Sequence, residues 1–179
     1  LQGGFHIAKR LNIGCGHNIL EGYDNIDRLK TTDSTIVADV FNLPYEEKSV
    51  DEIYMRHVIE HFYLDQLPEL FNGFRKVMKD DAELVMETPS LERIMYAWDN
   101  GLMEKEHLCG IMFGFYANEN WRERTLEMHH KFLFDKGLAT KVLEENQFRD
   151  IRFEDAPKQF NYDPKYGDYN TAFVIRCRK

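Results

Sequence analysis

Apolar residues fall in short runs along this chain, each closed by a polar or turn-forming residue. Seven runs, at residues 10–13, 23–27, 35–38, 50–55, 82–87, 148–154 and 171–176, are rich in β-branched or aromatic side chains and predict strands. Two stretches switch to helical period. Leu64, Leu67, Leu70, Phe71, Phe74, Val77 and Met78 recur at three- and four-residue spacing and form one apolar stripe. Asp65 is the expected cap of that helix, and Pro68 is tolerable in a first turn, where no intrahelical amide bond is lost. A second helix is predicted over 136–145, with Asp135 as cap, Leu138, Val142 and Leu143 inward, and Asn146 as a left-handed stop. Strand, glycine turn, strand, and then strands alternating with helices predict a layered α/β sheet.

Residues 90–131 break this rhythm. They hold Tyr96, Trp98, His107, Phe113, Phe115, Tyr116, Trp121, His129 and His130 between the fifth strand and the last helix. Long excursions from a scaffold tend to carry function, so the segment reads as irregular helices forming a lid over the mouth of a site. A helical insert that packs only on the sheet is the alternative.

The chain has 179 residues, which suits a single domain over 1–179 with the lid as an insert; two domains would each be cramped. Hydrophobic content of 43% and aromatic content of 13% fit a packed core. A formal net charge of −8 repels phosphate backbones, which argues against nucleic acid as the substrate. Cys15, Cys109 and Cys177 make no CxxC pair and no disulfide framework, which points to a reducing compartment and a cytoplasmic location. No run approaches the ~20 apolar residues that cross a bilayer. The start, Leu1-Gln-Gly-Gly-Phe5, lacks an initiator Met and does not read as a secretory leader.

The most informative stretch lies at the first strand. Leu11 and Ile13 run into Gly14-Cys15-Gly16, and the next strand closes on Asp27. Glycines at a strand's end let a ligand lie against bare backbone, and an acid ending the next strand can accept hydrogen bonds from a ribose diol. Together they point to a nucleoside-bearing cofactor at the carboxyl end of a parallel sheet. Further along come Ala38-Asp39-Val40-Phe41, then Ser49-Val50-Asp51-Glu52-Ile53, Arg56-His57-Val58-Ile59-Glu60-His61, Phe74-Arg75-Lys76-Val77-Met78-Lys79 and Glu87-Thr88-Pro89.

In this order the motifs resemble the small class I S-adenosylmethionine-dependent methyltransferases, particularly the methyltransferase type 11 group. The resemblance covers about residues 10–89 and continues more faintly through His130-Lys131-Phe132 and the last helix. It implies a Rossmann-like, mostly parallel sheet with an antiparallel last strand. It also implies that Gly14, Cys15 and Gly16 pass beneath the methionine and ribose of S-adenosylmethionine. Asp27 takes the ribose hydroxyls in that scheme. Asp39 accepts from the adenine amino group, Val40 offers backbone, and Phe41 offers an apolar wall. Arg56 and His57 sit beside the sulfonium and the methyl acceptor, with His61 one helical turn further on.

Two features depart from the group. Asn18 stands where a third glycine is usual, and only His17 to Gly22 separate Gly16 from Tyr23. A parallel crossover normally takes a dozen or more residues, so the first crossover helix must be truncated.

Methyl transfer from a sulfonium is an in-line displacement, for which an enzyme aligns the acceptor lone pair and excludes water. An oxygen or protonated-amine acceptor also needs a proton sink, and histidine suits that role. His57, His61 and His130 are the candidates. Cys15 reads better as a small buried filler than as a nucleophile. Glu60-His61 has two readings: the start of a helix with Glu60 placed for the dipole, or a substrate-side role for His61. The histidines lack metal-ligand spacing, so no metal site is expected. The acceptor expected is a small molecule or a sugar, and the oligomeric state is not legible. A non-catalytic S-adenosylmethionine-binding partner stays open. So does a nicotinamide-dependent oxidoreductase, although Asp27 lies only thirteen residues after Gly14, where that fingerprint expects about twenty.

Overall fold

The first strand, β1 (Arg10–Ile13), alternates an exposed Arg10 with the buried run Leu11, Asn12 and Ile13, and it pairs in parallel with β2 (Asp24–Asp27) and β4 (Val50–Arg56). In this computed structural model residues 8–114, 129–157 and 170–179 are described. The remaining strands are β3 (Thr35–Val37), β5 (Met78–Pro89), β6 (Arg149–Asp155) and β7 (Ala172–Arg178). They form one seven-stranded sheet in the order β3-β2-β1-β4-β5-β7-β6. β7 is antiparallel to both of its neighbours, and the other pairings are parallel.

One face of the sheet carries the main core. α1 (Leu67–Val77) lays Leu67, Leu70, Phe71, Phe74 and Val77 into it, and these meet Leu11, Ile13, Ile53, Met55, Leu84 and Met86 from the strands. α4 (Lys136–Glu145) adds Ala139 and Leu143, and Phe148 closes edge-on against Phe71 with ring centroids 5.5 Å apart. A separate apolar cluster is small: Val85, Ala156, Ala172 and Val174 with Tyr54. Ion pairs occupy the strands nearby, with Arg176 bridging Glu83 (3.1 Å) and Glu154 (2.9 Å).

The first crossover is the departure that the sequence implied. No helix lies between β1 and β2. Two buried asparagines organise the loop instead. Asn12 Nδ2 donates to the Asn18 carbonyl and to Asn25 Oδ1, both at 2.8 Å. Asn25 Oδ1 accepts from the Leu20 amide at 2.9 Å, and its Nδ2 donates to the carbonyls of Leu20 and Tyr23, both at 3.0 Å. A loop without a helical ladder must satisfy its backbone groups another way, and side-chain amides supply both donor and acceptor.

Two expected helix boundaries move. Asp65 does not cap α1: it lies in a preceding single 3-10 turn, Leu64–Gln66, whose entry is fastened by Gln66 Oε1 accepting from the Tyr63 amide at 2.8 Å. Asn146 ends α4 with φ −96°, and the left-handed residue is Gln147 at φ 63°. Asp135 does cap α4, its Oδ1 accepting from the Leu138 amide at 2.7 Å. Asp135→Ala is therefore expected to lower stability by about 1 kcal/mol, read as a lower midpoint in urea unfolding with an unchanged slope.

The segment after β5 begins with α2 (Leu91–Asp99) and α3 (Lys105–Phe113). Ile94, Ala97, Met103 and Ile111 form a small core of their own with Leu108 and Leu133. Tyr96, Trp98 and Phe113 remain exposed. Phe115, Tyr116 and Trp121, three of the aromatic residues expected in a lid, lie outside the described residues. No helix among the described residues is long and apolar enough to cross a membrane.

Candidate active site

In a sheet of this order the chain leaves β1 toward β2 and β3 on one side, and leaves β4 toward β5 on the other. The switch point therefore falls between β1 and β4, where open α/β sheets form a crevice at the carboxyl ends of the strands. Gly14 and Gly16 follow β1 with φ 64° and 49°, conformations that a side chain strains. The two sides of the crevice touch: a Cβ at Gly14 would lie 2.4 Å from Val58 Cγ2, whereas one at Gly16 would meet nothing within 4 Å. Gly14 is thus needed for close packing, and Gly16 leaves open space above bare backbone. That opening fits a ligand laid along the turn.

Asp27 is bound into this turn. Its Oδ2 accepts from the Gly16 amide and its Oδ1 from the Leu29 amide, both at 3.0 Å. Thr31 Oγ1 donates to the Gly16 carbonyl and contacts Thr35 Oγ1 at 2.9 Å. Cys15 is buried between them, its amide bonded to the Ile26 carbonyl at 3.0 Å. Burial pushes the Cys15 thiol up, so it sits as a protonated filler. Asp39 lies exposed beyond β3, where its Oδ1 accepts from the Phe41 amide at 3.0 Å and its carbonyl from the Asn42 amide at 3.0 Å. Val40 and Phe41 pack half-buried against the core, and the Phe41 ring meets Phe62 edge-on at 5.5 Å.

Across the crevice, β4 ends at Arg56, and His57 turns the chain with φ 52°. A left-handed histidine costs roughly 1–3 kcal/mol, and such strain clusters at functional sites. Its amide donates to the Glu87 carbonyl at 2.8 Å. Its ring stands between two buried carboxylates, with Nδ1 3.1 Å from Glu60 Oε1 and Nε2 3.7 Å from Glu87 Oε1. Arg56 Nε lies 3.4 Å from the same Glu87 oxygen.

Glu60 is the hub of this region, a place that its helix-start reading does not convey. It is fully buried in a short turn, Ile59–His61. Thr88 Oγ1 donates to its Oε2 at 3.1 Å, and the Lys131 amide donates to its carbonyl at 2.7 Å. His130 Nε2 lies 3.9 Å from Oε1, and the His61 and His130 rings stand 5.0 Å apart. The three histidines expected to take part in chemistry are thus gathered around one carboxylate. His129 instead contributes its carbonyl, 3.4 Å from His61 Nδ1, and His107 lies on α3.

The electrostatics follow from burial and pairing. Burial alone would raise Glu60, but the hydrogen bond from His57 and the three nearby imidazoles hold it below the usual carboxylate range. Burial alone would lower His57, but Glu60 and Glu87 outweigh it and raise the ring above its ordinary value. His130 moves the other way: burial dominates and pushes it down, against the pull of Glu60. His130 Nδ1 contacts the Ile111 carbonyl at 2.6 Å, so a neutral His130 carries its proton there and leaves Nε2 as the lone pair facing Glu60.

Glu87 and Thr88 stood in the motif series without a role of their own. A signal was present: Glu60 follows the apolar pair Val58-Ile59, and Glu87-Thr88 follows Leu84-Val85-Met86, so acids continue apolar runs.

Comparison with known proteins supports the fold. Residues 15–86 match the family described as "Methyltransferase domain". No curated protein matches the chain by sequence. A SAM-dependent methyltransferase from Archaeoglobus fulgidus superposes with a TM-score of 0.59 at 16% identity, over 96% of this chain and 86% of that one. A SAM-dependent methyltransferase from Methanosarcina mazei gives 0.61 at 15% identity, over 96% and 92%. Phosphoethanolamine N-methyltransferase 2 of Haemonchus contortus, solved with S-adenosyl-L-methionine, gives 0.58 at 13% identity, over 99% of this chain and 50% of its own length. At these identities the likeness speaks for the fold, and the domain match covers residues 15–86 alone. The chain has the fold of the class I S-adenosylmethionine-dependent methyltransferases, and its residues 15–86 match a methyltransferase domain.

Proposed function

We propose that the chain methylates an oxygen or nitrogen of a small-molecule or sugar acceptor, with the acceptor seated against the Glu60–histidine cluster. S-adenosylmethionine supplies the electrophilic methyl group on its sulfonium. Gly14, Cys15 and Gly16 hold the methionine and ribose along bare backbone, and Asp27 takes the ribose hydroxyls while keeping the turn closed. Asp39 and Val40 hold the adenine edge, and Phe41 walls its face. Arg56 and His57 border the transfer site, and Glu87 anchors both.

The observation that carries this reading is the convergence of His57, His61 and His130 on buried Glu60, beside the strand-four end of the crevice. A bare methyl-donor pocket needs no such cluster. An acceptor that loses a proton as it is methylated does need one, because its lone pair must be freed and aligned. Among the described residues, α3 and His130 border the acceptor side of the crevice. The free thiols Cys15, Cys109 and Cys177 fit a reducing compartment such as the cytoplasm.

A labelled-methyl screen over hydroxylated and amine-bearing small molecules, free sugars, peptides and RNA tests the proposal. Label is expected in a small molecule or sugar and not in RNA, which a net charge of −8 disfavours. Label found only in RNA or peptide overturns the acceptor class. Cofactor binding without transfer to any acceptor favours the non-catalytic partner.

A further inference from the structure

The cluster around Glu60 has the composition of a cation site as well as that of a proton sink. One donor atom from each of Glu60, His61 and His130 lies within 4.8 Å of the other two. Glu60 is fully buried, and the two rings are half-buried. We propose that these three side chains bind a divalent first-row metal ion of zinc-like preference on the acceptor side of the crevice.

Ligand chemistry supports the choice of ion. Two imidazoles and one carboxylate suit zinc and its neighbours, whereas magnesium and calcium favour oxygen ligands alone. Three protein ligands leave a coordination position open, as catalytic rather than structural sites do.

The second shell is already assembled. Metal-bound histidines hand their other ring N–H to a carbonyl or carboxylate, which fixes the ring and its tautomer. His130 Nδ1 meets the Ile111 carbonyl at 2.6 Å, and His61 Nδ1 lies 3.4 Å from the His129 carbonyl. Each ring therefore has a main-chain oxygen for one nitrogen and can offer the other as a lone pair. Glu60 is held on both oxygens, by His57 on Oε1 and by Thr88 on Oε2, which leaves a further lone pair on each. His57 is thus a positioning residue for the carboxylate rather than a ligand.

The His130–Glu60 pair asks for little movement. His130 Nε2 and Glu60 Oε1 stand 3.9 Å apart. Ligands at ~2.0–2.1 Å in tetrahedral geometry lie about 3.4 Å from one another, so a shift of roughly half an ångström closes the pair. Without a cation, the His130 lone pair faces a carboxylate oxygen, a repulsive arrangement that a positive charge between them relieves.

The inference rests on the acceptor-site reading above and deepens it. A divalent ion there acidifies an acceptor hydroxyl, whose proton leaves to solvent, so the cluster would act through the ion.

The test uses metal-stripped protein carrying Cys109→Ser, which removes the exposed thiol. Zn²⁺ is titrated by calorimetry, and Co²⁺ is followed by its visible absorption. The expected result is one ion per chain. H61A, H130A and E60Q should each weaken Zn²⁺ binding at least tenfold, and H17A, at an exposed histidine outside the cluster, should leave it unchanged. Should H130A or E60Q fail to fold, which circular dichroism reports, the half-exposed His61 carries the test. No stoichiometric uptake by folded protein, or uptake unaltered by H61A, overturns the proposal. Titrating S-adenosylhomocysteine into the same samples separates the two readings. Its binding without metal uptake sinks only the cation, and metal uptake without it sinks only the cofactor site.

Discussion

Gly14→Ala is expected to destabilise the protein by about 2–4 kcal/mol, whereas Gly16→Ala should cost only about 1–2 kcal/mol. Both positions have positive φ, at 64° and 49°, so both substitutions carry the backbone penalty of a left-handed residue. Only Gly14 carries a second penalty, because its new Cβ would stand 2.4 Å from Val58 Cγ2 and 3.1 Å from Cγ1. Val58 cannot easily rotate away, since branching at Cβ restricts χ1. The two halves of the crevice must then separate. Urea unfolding of G14A, G16A, V58A and the G14A/V58A pair resolves the terms. The double variant should be more stable than the sum of its singles predicts, by about the steric part. Equal losses in G14A and G16A, with additive behaviour in the pair, would remove the contact from the account.

The second large effect is on cofactor affinity. Asp27→Ala is expected to weaken S-adenosylhomocysteine binding by about 1–3 kcal/mol, which is roughly a factor of 5 to 150. Two causes combine. The ribose loses a charged acceptor, and the Gly16 and Leu29 amides lose their partners at 3.0 Å, so the turn beneath the ligand loosens. Asp27→Asn separates these causes in part, since it retains a carbonyl for one amide but not the charge. Calorimetry on both variants, with folding checked, supplies the measurement, and affinities equal to that of the parent chain would refute the ribose role.

Much of the fold was legible because strand signals are local. β1 matched its expected bounds, and the other strands moved by a few residues at most, except β5. That strand begins at Met78, directly after α1, and its early positions Lys79, Asp80 and Asp81 are polar. Charged partners meet these positions, Asp51 at 2.7 Å from Lys79 and Lys48 at 2.8 Å from Asp80, so no apolar alternation follows Met78. The missing crossover helix was legible because chain length alone forbade it. How the loop survives without a helix was not, since Asn12 and Asn25 meet only once β1 and β2 are paired.

The site shows the same division. The glycine turn and the strand-end acids Asp27 and Asp39 stand in order along the chain, so spacing pointed to them. Glu60 acquires its meaning from His57, Thr88 and His130, which lie 3, 28 and 70 positions away and are joined only by folding. A buried acid among aliphatics was the visible trace, and it has a local explanation as a helix-start residue that hides the long-range one. Asp65 illustrates the converse: it had the right type for a cap, but Gln66 fastened the turn first.

The central claim is that the carboxyl edge of this sheet holds S-adenosylmethionine with its methyl group turned toward the Glu60 cluster. A crystal structure with S-adenosylhomocysteine bound tests it most directly. The account predicts the ribose on Asp27, the adenine between Asp39 and Phe41, and the sulfur facing His57 and Glu60. Density for the nucleoside elsewhere, or a sulfur directed away from the three histidines, would contradict it.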